Sequence, residues 1–197
     1  MSADQAADGS WHQSEIKTIS RLFGLHLTVR ETSPQIEAAL KWLMDKIDLE
    51  SAGRQHGIES YPSTENLGGL AFICSRPDMF LIVATLFLAS IFERDKDPSV
   101  LAIYCWLSLE GVRNKGLWFD RPCSHNILRA MVVHPVYCED PATVRAVDSL
   151  ANLQSASGEW KDGLPFFCAQ ILTLLSQPCS LNCTIIMLTA LSRMISI

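Results

Sequence analysis

The stretch Arg145-Ala146-Val147-Asp148-Ser149-Leu150-Ala151-Asn152-Leu153-Gln154-Ser155-Ala156-Ser157-Gly158-Glu159-Trp160 reads as a helix running into Gln, a tight turn, and then Gly-x-Trp. The same Gln-x3-Gly-x-Trp spacing stands near the start, in Gln5-Ala6-Ala7-Asp8-Gly9-Ser10-Trp11. Weaker copies read Gly68-Gly69-Leu70-Ala71-Phe72 and Gly116-Leu117-Trp118. A recurring unit of this size cannot bury its own apolar face, so repetition implies units stacked side by side.

The glycine anchors set the period. Gly9 to Gly69 spans 60 residues, Gly69 to Gly116 spans 47, and Gly116 to Gly158 spans 42. The two shorter intervals suit one helical hairpin per repeat. The excess in the first falls near residues 51–66, where Ser51-Ala52-Gly53-Arg54-Gln55-His56-Gly57 and the Pro62 that follows read as an inserted loop. Residues 1–197 are therefore expected to form one domain of about four hairpins.

Between anchors the periodicity is helical. Ile36, Leu40, Leu43 and Ile47 keep a 3.6-residue stripe behind Ser33-Pro34, a cap followed by a first-turn proline. Asp97-Pro98 and Asp140-Pro141 repeat that start ahead of Ser99–Glu110 and Ala142–Gln154. The segments after each anchor, about Glu15–Thr28, Met79–Phe92, Ser124–Val133 and Leu164–Ser176, are more continuously apolar. They are expected to be inner helices buried on several sides, with the proline-led helices outside them. No period-2 strand stands out, and the fold class is all-α.

Composition narrows function. Apolar residues make up 48% and charged ones 19% of the 197 residues, which fits a chain with a real core. The net charge of −5 is spread out without a Lys/Arg run, which argues against nucleic acid as a partner. Seven cysteines, an odd number with no Cys-x-x-Cys pair, and no secretory signal pattern favour buried thiols in the cytosol. The apolar run Met79–Phe92 is too short to span a bilayer, which takes about 20 residues. Ser180–Ile197 is apolar but interrupted by Asn182, Ser192 and Arg193, a composition compatible with lying on a membrane surface.

The Gln-x3-Gly-x-Trp turns on paired helices resemble the repeats of terpenoid cyclases and prenyltransferases, across most of the chain. The resemblance implies an α/α toroid, here an incomplete ring of about four hairpins, which a second copy of the chain would help to close. It also implies that Gln5 with Trp11, and Gln154 with Trp160, are structural ties between helices. Class II cyclases protonate an alkene or epoxide of a linear isoprenoid, which requires a carboxylic acid held protonated beside a dry aromatic cavity. Their acid is the middle Asp of Asp-x-Asp-Asp-Thr-Ala.

The nearest match is Asp95-Lys96-Asp97-Pro98-Ser99-Val100. Asp95 and Asp97 match, Ser99 stands for Thr, and Pro98 replaces the third Asp. Asp97 is thus the candidate acid with Asp95 as its partner. The alternative is an N-cap ahead of a first-turn proline, and another alignment sets Glu93-Arg94 and Pro98-Ser99 against a different stretch of fungal-type diterpene cyclases. Asp120, after the third anchor, is a second acidic candidate, facing the cavity, paired with Arg121 or tied into its turn. Phe166, Phe167 and Trp106 are expected cavity liners, with Phe72, Phe80, Phe87 and Phe92 behind them. No cofactor is implied, save Mg2+ if the substrate carries a diphosphate.

Prenyltransferases of the same fold hold zinc through an Asp, a Cys two residues on and a distant His. Cys123-Ser124-His125, with Asp120 three residues before the cysteine, does not keep that spacing. Neither a nucleophile elbow nor a phosphate-cradling glycine loop occurs. The expected partner is an isoprenoid or other lipid, turned over by an active cyclase or bound by an inactive, truncated relative that acts as a lipid- or protein-binding module.

Overall fold

The computed structural model describes residues 4–28, 31–47 and 76–152. Six α-helices run through them: α1 (Glu15–Thr28), α2 (Pro34–Met44), α3 (Pro77–Ile91), α4 (Pro98–Arg113), α5 (Arg121–Val133) and α6 (Pro141–Ala151). A 3-10 turn, Tyr137–Glu139, precedes α6. Among the described residues there is no strand, only an isolated bridge between Gln5 and Trp11. The inserted loop near 51–66, the anchors at Gly69 and Gly158, and the expected helix Leu164–Ser176 lie outside the described residues. The chain divides into two compact units, Met1–Ile103 and Tyr104–Ile197.

Among the described residues every helix after α1 carries a proline in its first turn, where the missing N–H would have had no helical partner. The three expected Ser/Asp-Pro starts open α2, α4 and α6. Ser33, in extended backbone, accepts a hydrogen bond from Ile36 N–H at 3.3 Å and closes the first turn of α2.

In the first unit α1, α2 and α3 pack pairwise. Ile19 and Leu22 of α1 and Ile36, Ala39, Leu40 and Leu43 of α2 form the apolar stripes that meet α3. On α3 the residues from Ile82 to Ala89 are all buried, so this helix is enclosed on every side, as its unbroken apolar sequence requires. Full burial of each Leu, Ile or Phe stabilises by about 1.5–3 kcal/mol. Phe23 of α1 meets Phe87 at a tilt, 6.1 Å between centroids, and His26 sets its ring edge-on to Phe87 and Phe92 at 6.0 and 6.4 Å.

The expectation that α1 is an inner helix is corrected. Lys17, Arg21, Gly24 and Leu27 lie along one exposed side at helical spacing, and Leu27 is 61% exposed. One polar edge makes α1 amphipathic like α2.

In the second unit α5 packs against the 3-10 turn and α6. Residues 123–132 of α5 are buried without a break, including the polar Ser124, His125, Asn126 and Arg129. Burial alone lowers the Arg129 pKa to about 10. The later part of α4 turns Tyr104, Leu107 and Gly111 inward. A methyl at Gly111 would come within 2.5 Å of the Trp118 ring, so glycine there lets the indole lie against the helix.

Candidate functional site

The Gly-x-Trp turn is built twice among the described residues. In the first unit Gly9 has φ +93° and packs so closely on α2 that a Cβ would stand 2.4 Å from the Ala38 carbonyl oxygen. Trp11 is buried, and its backbone N–H donates to Thr18 Oγ1 at 2.9 Å. Gln5 Nε2 donates to the Gly9 carbonyl at 2.8 Å and to the Gln35 carbonyl, in the first turn of α2, at 2.9 Å. The glutamine therefore ties the turn to a neighbouring helix end through backbone. Ser10 donates twice to Asp8 Oδ1, and these bonds lower the Asp8 pKa.

In the second unit Gly116, at φ +85°, approaches α6 so closely that a Cβ would stand 2.7 Å from Ala146 N. Trp118 is 1% exposed. Its backbone N–H donates to Ser124 Oγ at 2.8 Å, and its indole Nε1 donates to the Leu107 carbonyl at 2.7 Å. In both copies the residue after the Trp is left-handed, His12 at +56° and Phe119 at +55°. Gly, Trp and the cap of the second helix after each keep one offset of 107 residues (9 to 116, 11 to 118, 33 to 140). The Gly116 turn reads as a weak copy because Val112 replaces the glutamine, yet it shares with the first the left-handed glycine and the left-handed residue after the tryptophan, differing at Lys115 and Gln13, each left-handed in one copy alone. The Gln154/Trp160 copy lies outside the described residues.

Two of the acidic candidates, Asp97 and Asp120, are helix caps. Asp97 Oδ1 accepts from Ser99 N–H at 3.0 Å, and its Oδ2 accepts from Arg94 Nη2 at 2.9 Å. The hydrogen bond from the Arg94 guanidinium, helped by that from Ser99, holds its carboxyl below the usual carboxylate range against a smaller opposing effect of burial. Asp95 is half-buried two residues before it.

Asp140 repeats the arrangement at α6, accepting from Ala142 N–H at 2.8 Å and from Ser108 Oγ at 2.7 Å. Asp120 caps α5, accepting from Cys123 N–H at 2.8 Å. Of the roles open to Asp120, the structure shows the turn contact. Four caps, Ser33, Asp97, Asp120 and Asp140, thus perform one task at four helix starts.

Of the aromatic candidates, Phe166, Phe167 and Phe72 lie outside the described residues. Phe80, Phe87 and Phe92 are core residues, 1–3% exposed. Trp106 is half-buried on α4, its ring 6.3 Å from that of Phe119. A cleft of about 300 Å³ in the first unit is lined by Glu31, Thr32, Ile91 and Glu93. Among the described residues its lining is two carboxylates, a hydroxyl and one isoleucine, a polar set for an isoprenoid chain.

An aromatic cluster in the second unit has no counterpart among the expected sites. Buried His134 lies 4.4 Å from the Tyr104 ring and 4.9 Å from that of Tyr137, and the two tyrosines stack at 5.2 Å. His134 Nδ1 accepts backbone N–H from Val136 and Tyr137, which puts a neutral ring's proton on Nε2. Tyr104 donates its hydroxyl to the Ala130 carbonyl at 3.0 Å. Burial, then Cys105 and Asp140, raise the Tyr137 pKa. The cluster fixes the corner between α5 and α6; its only sequence signal is the turn-forming His134-Pro135.

Among the described residues no three His, Cys, Asp or Glu side chains converge as a metal site would require, and Cys123 and His125 are both buried along α5. Cys138 is buried as well, whereas Cys105 is exposed. No described helix is long and apolar enough to cross a membrane. No family model matches the sequence, and neither a curated protein nor a solved structure does. The likeness to terpenoid cyclases and prenyltransferases therefore rests on the motif residues alone.

Proposed function

We propose that the chain is a helical-hairpin repeat module, curved as an incomplete α/α ring, that binds an isoprenoid or similar apolar lipid without cyclising it. The observation that carries this reading is the use made of Asp97. At the same step of the repeat the first hairpin has Ser33 and the third has Asp140, and each caps its helix. A position that serine can fill asks for a hydrogen-bond acceptor and not for an acid. The Asp97 carboxyl, bound to Arg94 and Ser99, is held ionised at neutral pH, whereas a proton donor to an alkene must be held protonated. The apolar composition and the paired helices support a lipid ligand, and the Gly-x-Trp ties support a scaffold whose hairpins stack.

The test is incubation of the purified chain with geranylgeranyl diphosphate, squalene and oxidosqualene, with and without Mg2+, followed by mass spectrometry of the extract. The expected result is retention of unchanged isoprenoid on the protein. A cyclised product that disappears in Asp97→Asn would overturn the reading. Asparagine caps a helix about as well as aspartate, so that variant separates loss of an acid from loss of a cap.

A further inference from the structure

The 107-residue offset that relates Gly9 to Gly116 and Trp11 to Trp118 extends through the helices that follow. It carries α2 (Pro34–Met44) onto α6 (Pro141–Ala151) end for end, and α1 (Glu15–Thr28) onto α5 (Arg121–Val133) to within two residues. Close approaches keep the same step: a Cβ on Gly9 would meet Ala38, and one on Gly116 would meet Arg145 beside Ala146. The described part of the second unit thus holds copies of α1 and α2. The offset puts the copy of α3 at residues 184–197, outside the described residues. That stretch keeps the apolar pattern of α3: Ile186, Ala190, Leu191 and Ile195 stand at the steps of Met79, Val83, Ala84 and Leu88, all fully buried. The polar changes fall on both sides of one seam. Ile19 and Leu22 of α1, which meet α3, become Asn126 and Arg129 on α5, both buried. Opposite them, Ile82, Thr85 and Ala89 of α3 become Thr189, Ser192 and Ser196. A buried amide and guanidinium call for hydrogen-bond acceptors, which hydroxyls supply and isoleucine or alanine side chains do not. Arg193, at the step of Leu86, is the one charge in the stretch.

We infer that residues 184–197 dock on α5 and α6 as a helix, in the place that α3 takes on α1 and α2, with their hydroxyls toward Asn126 and Arg129. A segment committed to that seam belongs to the core of the second unit and not to a membrane surface. The inference rests on the offset and needs no isoprenoid ligand, so its failure leaves the proposed function standing, and the reverse.

The experiment is photo-crosslinking of the full chain carrying benzoylphenylalanine in place of Met194, the counterpart of Phe87. Phe87 lies against Phe23 and His26 of α1, so the crosslink should fall on α5 around Ala130 and Val133, read by mass spectrometry. The same group in place of Phe87 should label α1. A double-mutant cycle gives a second measurement. Asn126→Ile/Arg129→Leu installs the first unit's residues on α5, and Thr189→Ile/Ser196→Ala installs them on the segment. Each pair alone should lower Tm, and all four changes together should lose less than the two losses summed, because residues in contact couple. The inference is overturned if the Met194 crosslink falls outside α5 and α6, if it joins two chains, or if the two losses simply add.

Discussion

Gly116→Ala and Gly24→Ala should move stability in opposite directions within one molecule. Gly116 sits at φ +85°, in the left-handed region, where a Cβ costs about 1–2 kcal/mol. The added methyl would also stand 2.7 Å from Ala146 N and 2.9 Å from the Arg145 carbonyl carbon. Both are backbone atoms of α6, so the helix must shift, and overpacking of this kind costs typically about 1–3 kcal/mol. Together the effects come to roughly 2–5 kcal/mol.

Gly24 lies inside α1 with nothing within 4 Å of an added Cβ, so alanine there should stabilise by about 0.5–1 kcal/mol. In a chain of this size each kcal/mol shifts Tm by about 2–4 °C, so the two variants should melt roughly 5–25 °C apart. Thermal melts followed by circular dichroism, with urea titrations at fixed temperature, measure both. If Gly116→Ala unfolds within about 0.5 kcal/mol of the parent, the claim that α6 abuts this turn is refuted.

Trp118→Phe removes the bond to the Leu107 carbonyl and part of a buried ring, and should cost about 1–3 kcal/mol in a urea titration. Asp97→Ala should cost about 1 kcal/mol while Asp97→Ser costs a few tenths, because Ser33 performs the same capping at α2. The folded pKa of Asp97 lies below its unfolded value near 3.9, so its stabilisation is complete above that value and is lost as pH falls through the folded one. Asp97→Asn should therefore flatten the acid limb of a stability-against-pH curve. The Tyr137 phenol is raised, so its contribution is present below about pH 10 and is lost as pH rises through the higher folded value. An alkaline absorbance titration should lose one late-ionising phenol in Tyr137→Phe.

Helix starts were readable from two-residue signals because capping is local: Ser33-Pro34, Asp97-Pro98 and Asp140-Pro141 each act on the next three residues. The Gly116 anchor was harder to read, because motif spacing gives weight to the glutamine. Its geometry depends instead on a left-handed glycine, a buried indole and a hydroxyl six or seven residues on, for which serine and threonine both serve. An acid and a cap look alike in Asp95-Lys96-Asp97-Pro98, and Arg94 and Ser99 distinguish them only once their positions are known. Overall apolar content hides the edge formed on α1 by Lys17 and Arg21. The setting of His134 depends on Tyr104, thirty residues earlier, and no periodicity marks such a pair.

The side-chain ties between these helices span little sequence: Gln5 to Gln35 is 30 residues, Tyr104 to Ala130 is 26, and Ser108 to Asp140 is 32. Low contact order of this sort lowers the entropic barrier to folding and favours rapid, piecewise acquisition of structure. Both later ties start from α4, so α4 can dock as soon as α5 and the start of α6 emerge from the ribosome.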